Sequence, residues 1–245
     1  MVPNPAEPHA PVPREVDLNA DLGEEITDDA GLLALVTSAN VACGFHAGTR
    51  ATMQAVCAEA VRRGVALGAQ VSYADRENFG RVTRDVEPGV LAEQVAEQVG
   101  ILAGIARAEG GEVVYLKPHG ALYHRVAVDP VQAAAVLAGS GSLPVLGMPG
   151  SLLLAQATTE GRGVRLEGFP DRGCTDDGRL VSRELPGALV TDPAVVAARA
   201  VDLVPRVDSV CVHGDSPLAV AAADAVRRAL EAAGHRVVSC WSSTA

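Results

Sequence analysis

Aromatic side chains are scarce. Phe, Trp and Tyr make up 3% of the 245 residues, so the core must be filled by Val, Leu and Ala, the composition of helices packed on a sheet. Basic residues are also in deficit, 20 against 30 acidic, for a formal net charge of −10. That balance excludes a surface for nucleic acid or anionic membrane, since either needs clustered Lys and Arg. No run approaches the ~18 apolar residues of a membrane span. The five cysteines are odd in number and have no CxxC spacing, which predicts reduced thiols used mostly for core packing in a cytoplasmic protein. Also missing are a phosphate-cradling GxxxxGK[ST] loop, a GxGxxG after a strand and an HExxH pair, so no strict nucleotide or metal signature is present.

Proline, by contrast, is concentrated at the start. Pro3, Pro5, Pro8, Pro11 and Pro13 fall within residues 1–14, where there is no apolar h-region. This predicts a disordered leader over 1–14 and not a signal peptide, followed by one domain over 15–245.

Within that domain, short apolar runs alternate with helical patterns. Strands are predicted over 15–18, 65–70, 113–116, 143–147, 164–168 and 207–212, with another unit around Thr37 to Gly48 and a final short strand at Val237 and Val238. Thr49 is placed to cap a helix that Gly64 closes, and Pro88 opens a helix with an apolar stripe of Leu91, Val95, Val99, Leu102 and Ala106. The last long helix begins at Pro217, with Leu218, Ala219, Ala223, Val226 and Leu230 on its inner face. Seven strands alternating with helices require parallel pairing and right-handed crossovers. A (β/α) barrel fits this pattern best, and a doubly wound open sheet is the alternative.

Chemistry collects where the strands end. Val113-Val-Tyr-Leu runs directly into Lys117-Pro-His-Gly120. Pro118 pushes Lys117 toward extended geometry, and Gly120 permits a tight turn. Asp17, Asn19 and Asp21 alternate onto one side, with Glu24 just past a glycine, and His46 lies between two close glycines. Asp171 and Arg172 follow the sixth strand, and His213 and Asp215 the seventh. The loop from Ser72 to Arg81 is long for a βα connection and carries Asp75, Arg76 and Arg81. It reads equally well as a closure over an anion and as solvated surface. An Asp176-Asp-Gly178 turn reads as structural. Polar clusters after five strands match the edge where parallel barrels build sites. Histidine and carboxylate supply acid/base groups, and Lys117 supplies a cation for a developing oxyanion or phosphoryl group. Asp17, Asp21 and His46 are candidate ligands for a divalent ion.

Five motifs carry a family resemblance: Asp17-Leu-Asn-Ala-Asp-Leu-Gly-Glu24, Ser38-Ala-Asn-Val-Ala-Cys-Gly-Phe-His-Ala-Gly48, Lys117-Pro-His-Gly-Ala-Leu-Tyr123, Phe169 to Arg172, and Cys211-Val-His-Gly-Asp215. Together, and in this order, they resemble the LamB/YcsF family from Val16 to about Gly234. The resemblance implies a seven-stranded (β/α) barrel related to the glycoside hydrolase and deacetylase barrels. It also implies the A subunit of an ATP-dependent 5-oxoprolinase, opening the 5-oxoproline lactam to L-glutamate with separately encoded B and C subunits. Carried over by position, Asp17, Asn19, Asp21, Glu24, His46, Lys117, His119, Asp171, Arg172, His213 and Asp215 would line the pocket. Asp17, Lys117, His119, His213 and Asp215 would form the catalytic set and the others would bind substrate. In that mechanism ATP phosphorylates the amide oxygen, Lys117 and Arg172 balance charge, and Asp17 or His213 is the general base. The chain departs from the family pattern at Gln70, where histidine is usual, and at Thr49, His124 and Cys174. The alternatives are a stand-alone metal-dependent amidohydrolase or deacetylase and a non-catalytic substrate-binding subunit.

Overall fold

The computed structural model describes residues 13–26, 28–175, 180–181 and 185–241. Seven parallel strands follow one another around a closed ring: β1 (Glu15–Leu22), β2 (Ser38–Ala42), β3 (Ala66–Val71), β4 (Val113–Pro118), β5 (Val145–Gly147), β6 (Val164–Gly168) and β7 (Ser209–Val212). Because β1 pairs with both β2 and β7, the sheet has no free edge within the ring and the open-sheet alternative is excluded. Eight α-helices among the described residues flank the strands: α1 (Asp29–Leu33), α2 (Arg50–Arg63), α3 (Pro88–Ala108), α4 (Gly120–Val128), α5 (Pro130–Gly139), α6 (Leu152–Thr159), α7 (Pro193–Leu203) and α8 (Ala219–Ala232).

Local chemistry explains the helix ends. Thr49 Oγ1 accepts from the Thr52 N–H at 3.2 Å, and Gly64 closes α2 in the left-handed region at φ +70°. Pro88 occupies the first turn of α3, where its missing N–H costs nothing. Leu218, expected on the inner face of α8, is instead its N-cap and is exposed, because the helix starts at Ala219, two residues after Pro217.

Two faces of the barrel wall differ in kind. The outer face carries Leu18, Ala20, Leu22, Val41, Leu67 and Leu116 into one apolar core shared with the helices. The inner face of β1 carries Asp17, Asn19 and Asp21, all buried. That is why β1 does not stop at Leu18: strand alternation continues, with polar residues turned into the lumen. β4 likewise extends through Lys117 and Pro118. Tyr115 reaches across the lumen, donating its hydroxyl to Asn40 Oδ1 at 2.7 Å. A register shift between Leu67 and Gly68 accompanies it, and a Cβ at Gly68 would lie 2.2 Å from the Tyr115 ring.

The C-terminal segment seals the amino ends of the strands. β8 (Arg236–Val237) pairs with Glu15 and Val16, and Trp241 stacks on Tyr115 with ring centres 4.3 Å apart. Of the expected leader, residues 1–12 lie outside the described residues, and the Arg14 N–H donates to His235 Nδ1. The Asp176-Asp-Gly178 turn also lies outside the described residues. No helix of the described residues is long and apolar enough to cross a membrane.

Candidate active site

A cavity of about 470 Å³ opens at the carboxyl ends of the strands. Asp21 and Lys117 lie at its base, the His119 to Ala121 turn, Tyr123, His124 and Phe169 form its walls, and Arg81, Thr83, Arg172, Leu180 and His213 complete it.

Lys117 is the hub. It reaches the lumen because β4 stays extended up to Pro118, and only 3% of it is exposed. Its Nζ lies 3.2 Å from Asp21 Oδ1, 2.9 Å from Glu167 Oε2 and 3.1 Å from Cys211 Sγ. Burial disfavours the ammonium, but Asp21 first, then Cys211 and Glu167, outweigh burial and keep it charged. The carboxyls themselves are pushed apart. Burial opposes the charge of Asp21, yet Lys117, then His213 and His119, hold that carboxyl well below its usual range. Burial dominates at Glu167 and raises it, offset only in part by Lys117 and Tyr123. One ammonium thus stands between an ionised Asp21 and a Glu167 biased toward its protonated form, the kind of divergence that separates acid from base.

Beneath this layer the lumen is a closed polar network. Asn40 Nδ2 donates to Asp21 Oδ1 at 2.9 Å and to Asn19 Oδ1 at 2.7 Å, and Asn19 donates to Ser209 Oγ at 2.6 Å. Asp17 ends the network, accepting from Thr37, Ser38 and Ser209 hydroxyls. The general-base role expected for Asp17 does not fit this placement: its carboxylate is occupied by three donors and does not line the main cavity. Asp17 pairs with Ser209, four residues before His213 along β7 and its exit, a separation of about 13 Å at the usual strand rise. Asn19 is likewise a floor residue.

His213 lies opposite, at the exit of β7. Its Nδ1 is 2.9 Å from Asp171 Oδ2, its own backbone N–H donates to the same oxygen, and its ring stacks on Phe169 at 5.3 Å. Burial opposes the Asp171 charge, but His213 outweighs it and holds the carboxyl low. Asp171 therefore fixes the ring and its tautomer. Arg172, Asp171, His213 and Asp215 also border a smaller adjoining cavity of about 200 Å³. The Arg172 guanidinium donates to the Ala188 and Val181 carbonyls. Arg81 pairs with Asp215, joining the long loop after β3 to the turn after β7.

Glu24, His46 and His119 converge behind the His119 wall, all buried, each offering one ligand atom within 4.8 Å of the others. Of the ion ligands expected from sequence, only His46 belongs to this cluster. Asp21 is engaged by Lys117 and Asn40, and Asp17 lies on the floor. Burial lowers His46 to about 4 and raises Glu24 to about 8, the latter aided by the Asp21 and Asp215 charges.

Three contributors escaped the sequence reading. Glu167 sits inside Val-Arg-Leu-Glu-Gly of β6, where a lone acid one residue before the strand's end was the only signal. Cys211 reads as ordinary core and Tyr115 as ordinary strand; only their lumen-facing register reveals them.

The LamB/YcsF family model matches residues 16–244. The chain belongs to that family. It is 52% identical to the 5-oxoprolinase A subunit of Streptomyces avermitilis, over 91% of this chain and 99% of the relative. The lactam utilization protein of Thermus thermophilus superposes with a TM-score of 0.84 at 36% identity, over 91% of this chain and 99% of that one. A polysaccharide deacetylase of Bacillus cereus, 14% identical and with a TM-score of 0.54 over 96% and 95%, shares the fold.

Proposed function

We propose that this LamB/YcsF chain is the A subunit of an ATP-dependent 5-oxoprolinase, which opens the 5-oxoproline lactam to L-glutamate together with B and C subunits. The observation that carries the reading is the buried Lys117 ammonium between Asp21 and Glu167, facing the Asp171-oriented His213 across one cavity.

A lactam carbon is a poor electrophile because its nitrogen donates into the carbonyl. Transfer of the ATP γ-phosphoryl group to the lactam oxygen, with loss of the N–H proton, leaves ADP and an imidate phosphate whose C=N carbon, bearing phosphate, is open to attack. Water then adds to the carbon while His213, held through Nδ1 by Asp171, takes a water proton at Nε2. Lys117 and Arg172 balance the charge of the phosphorylated oxygen. Collapse breaks the C–N bond, leaving an acyl phosphate and a nitrogen that takes up a proton to become the amino group, and a second water then displaces inorganic phosphate from the acyl carbon to give L-glutamate. Glu167, the carboxyl biased toward protonation, stands beside Lys117 as a proton source.

The test is glutamate release and ATP consumption by the chain alone and with B and C. Coupled turnover with all three, lost in Lys117→Ala and His213→Ala, supports the reading. Unchanged turnover in both variants would reduce the chain to a scaffold. Turnover by the chain alone with a divalent metal and no ATP would replace the proposal with a metal-dependent amidohydrolase.

A further inference from the structure

We propose that Glu24, His46, His119 and Gln70 form a built site for one divalent transition-metal ion of the zinc class, beside the main cavity and separated from it by the His119 ring. Four observations carry this, none of which depends on the activity proposed above.

The tautomer of His119 is set from outside the cluster. Its Nε2 is 3.2 Å from the Phe79 carbonyl, and a carbonyl only accepts, so the ring proton lies on Nε2 and the Nδ1 lone pair points inward. This is the outer-sphere arrangement that orients a ligating imidazole. Nδ1 lies 3.5 Å from Glu24 Oε1.

His46 is 1% exposed, and neither of its ring nitrogens has a hydrogen-bond partner. Burying an imidazole with both nitrogens unsatisfied is costly. A metal bond at Nε2, which lies 3.8 Å from Glu24 Oε1, satisfies one of the two and so lowers that cost. Two ligand atoms about 2.1 Å from a tetrahedral zinc ion sit about 3.4 Å apart, so the observed 3.5 and 3.8 Å require a small contraction, with rotation of the stacked imidazoles to bring their in-plane lone pairs onto one ion.

Gln70 completes the set. Its Nε2 lies 3.1 Å from Glu24 Oε1 and 3.0 Å from His119 Nδ1, while its buried Oε1 has no partner. Amide nitrogen and oxygen exchange places by a 180° flip, which turns Oε1 toward the same centre as a fourth ligand.

The enclosure is closely packed. The His46 and His119 rings stack at 4.0 Å, Phe79 abuts both edge-on, and Gly80 closes the wall where a Cβ would lie 3.0 Å from His46 Cβ and 3.3 Å from His119 Cδ2. Two imidazoles favour a borderline ion such as Zn²⁺ or Co²⁺ over Mg²⁺ or Ca²⁺, which prefer all-oxygen shells.

The experiment uses the untagged full chain, stripped with chelator, incubated with ZnCl₂ and dialysed, with zinc counted by elemental analysis. About one equivalent per chain is expected, with a rise in thermal midpoint that MgCl₂ does not reproduce. Glu24→Gln and His46→Ala should each weaken binding by about 100-fold or more, whereas His124→Asn, a histidine outside the cluster, should retain it. Co²⁺ titration of the wild-type chain should give the intense visible bands of a four-coordinate site, a reading independent of whether any variant folds. No retained zinc, full retention in both cluster variants, or only the faint bands of six-coordinate Co²⁺ would each overturn the site.

Discussion

At the scale of single residues, the interior of this barrel is polar where most barrel interiors are aliphatic, so each lumen side chain is held by partners and not by packing alone. Removing one member of a buried ion pair leaves the other uncompensated, which costs about 3–5 kcal/mol. Lys117→Met should therefore lower the unfolding free energy by about that amount in urea titration, and adding Asp21→Asn should recover at least about 1 kcal/mol, because the stranded carboxylate is gone. Gly68→Ala tests steric fit instead. Its new methyl would stand 2.2 Å from the Tyr115 ring, which is pinned between Asn40 and Trp241. A loss of about 3 kcal/mol is expected, the upper end of ordinary overpacking, with a change in Trp241 fluorescence as the stack is displaced. Residue identity also explains what was legible in sequence. Lys117, His119, Asp21, Arg172 and His213 do meet in one cavity. Glu167 stayed hidden because one acid within an apolar strand does not disclose which face it takes.

At the scale of elements, periodicity locates strands and helices well and misplaces their ends for one physical reason. Polar residues read as the end of a strand, as at Leu18 and Leu116, whereas here they are the lumen face of strands that continue to Leu22 and Pro118. Alternation is the evidence that decides it, since Asp17, Asn19 and Asp21 are two apart and Leu18, Ala20 and Leu22 interleave them. Helix caps are more legible because they are local chemistry. Thr49 caps α2 through the Thr52 N–H. Thr49→Ala should cost about 1 kcal/mol, measured as a lower denaturant midpoint with an unchanged slope. The long loop after β3 is open to two readings in sequence. Its Arg81 borders the cavity and pairs with Asp215, and its Phe79 carbonyl fixes His119, so the loop is part of the site wall.

At the scale of the whole molecule, burial of acids in the lumen sets the pH dependence of stability, and two carboxyls pull in opposite directions. Burial would raise Asp171, but the His213 charge outweighs it and holds the carboxyl below its usual range. It contributes stability that is present above the ordinary aspartate value of about 3.9 and is lost as pH falls through its lower folded value, because the unfolded chain takes up the proton first. Asp17 is raised because burial outweighs its three hydroxyl donors. The folded state then holds a proton that the unfolded state has released, so its contribution is fully present below about 3.9 and declines as pH rises through the folded value. Asp171→Asn should therefore flatten the acid limb of a stability curve measured by urea unfolding, and Asp17→Asn should flatten the decline above it. Asparagine in place of Asp17 still accepts through one oxygen from the Thr37 and Ser38 side, so the fold persists and the two limbs can be read separately. If Asp17→Asn left the decline unchanged while Asp171→Asn removed it, the assignment of burial to the floor and charge pairing to the cavity mouth would be reversed.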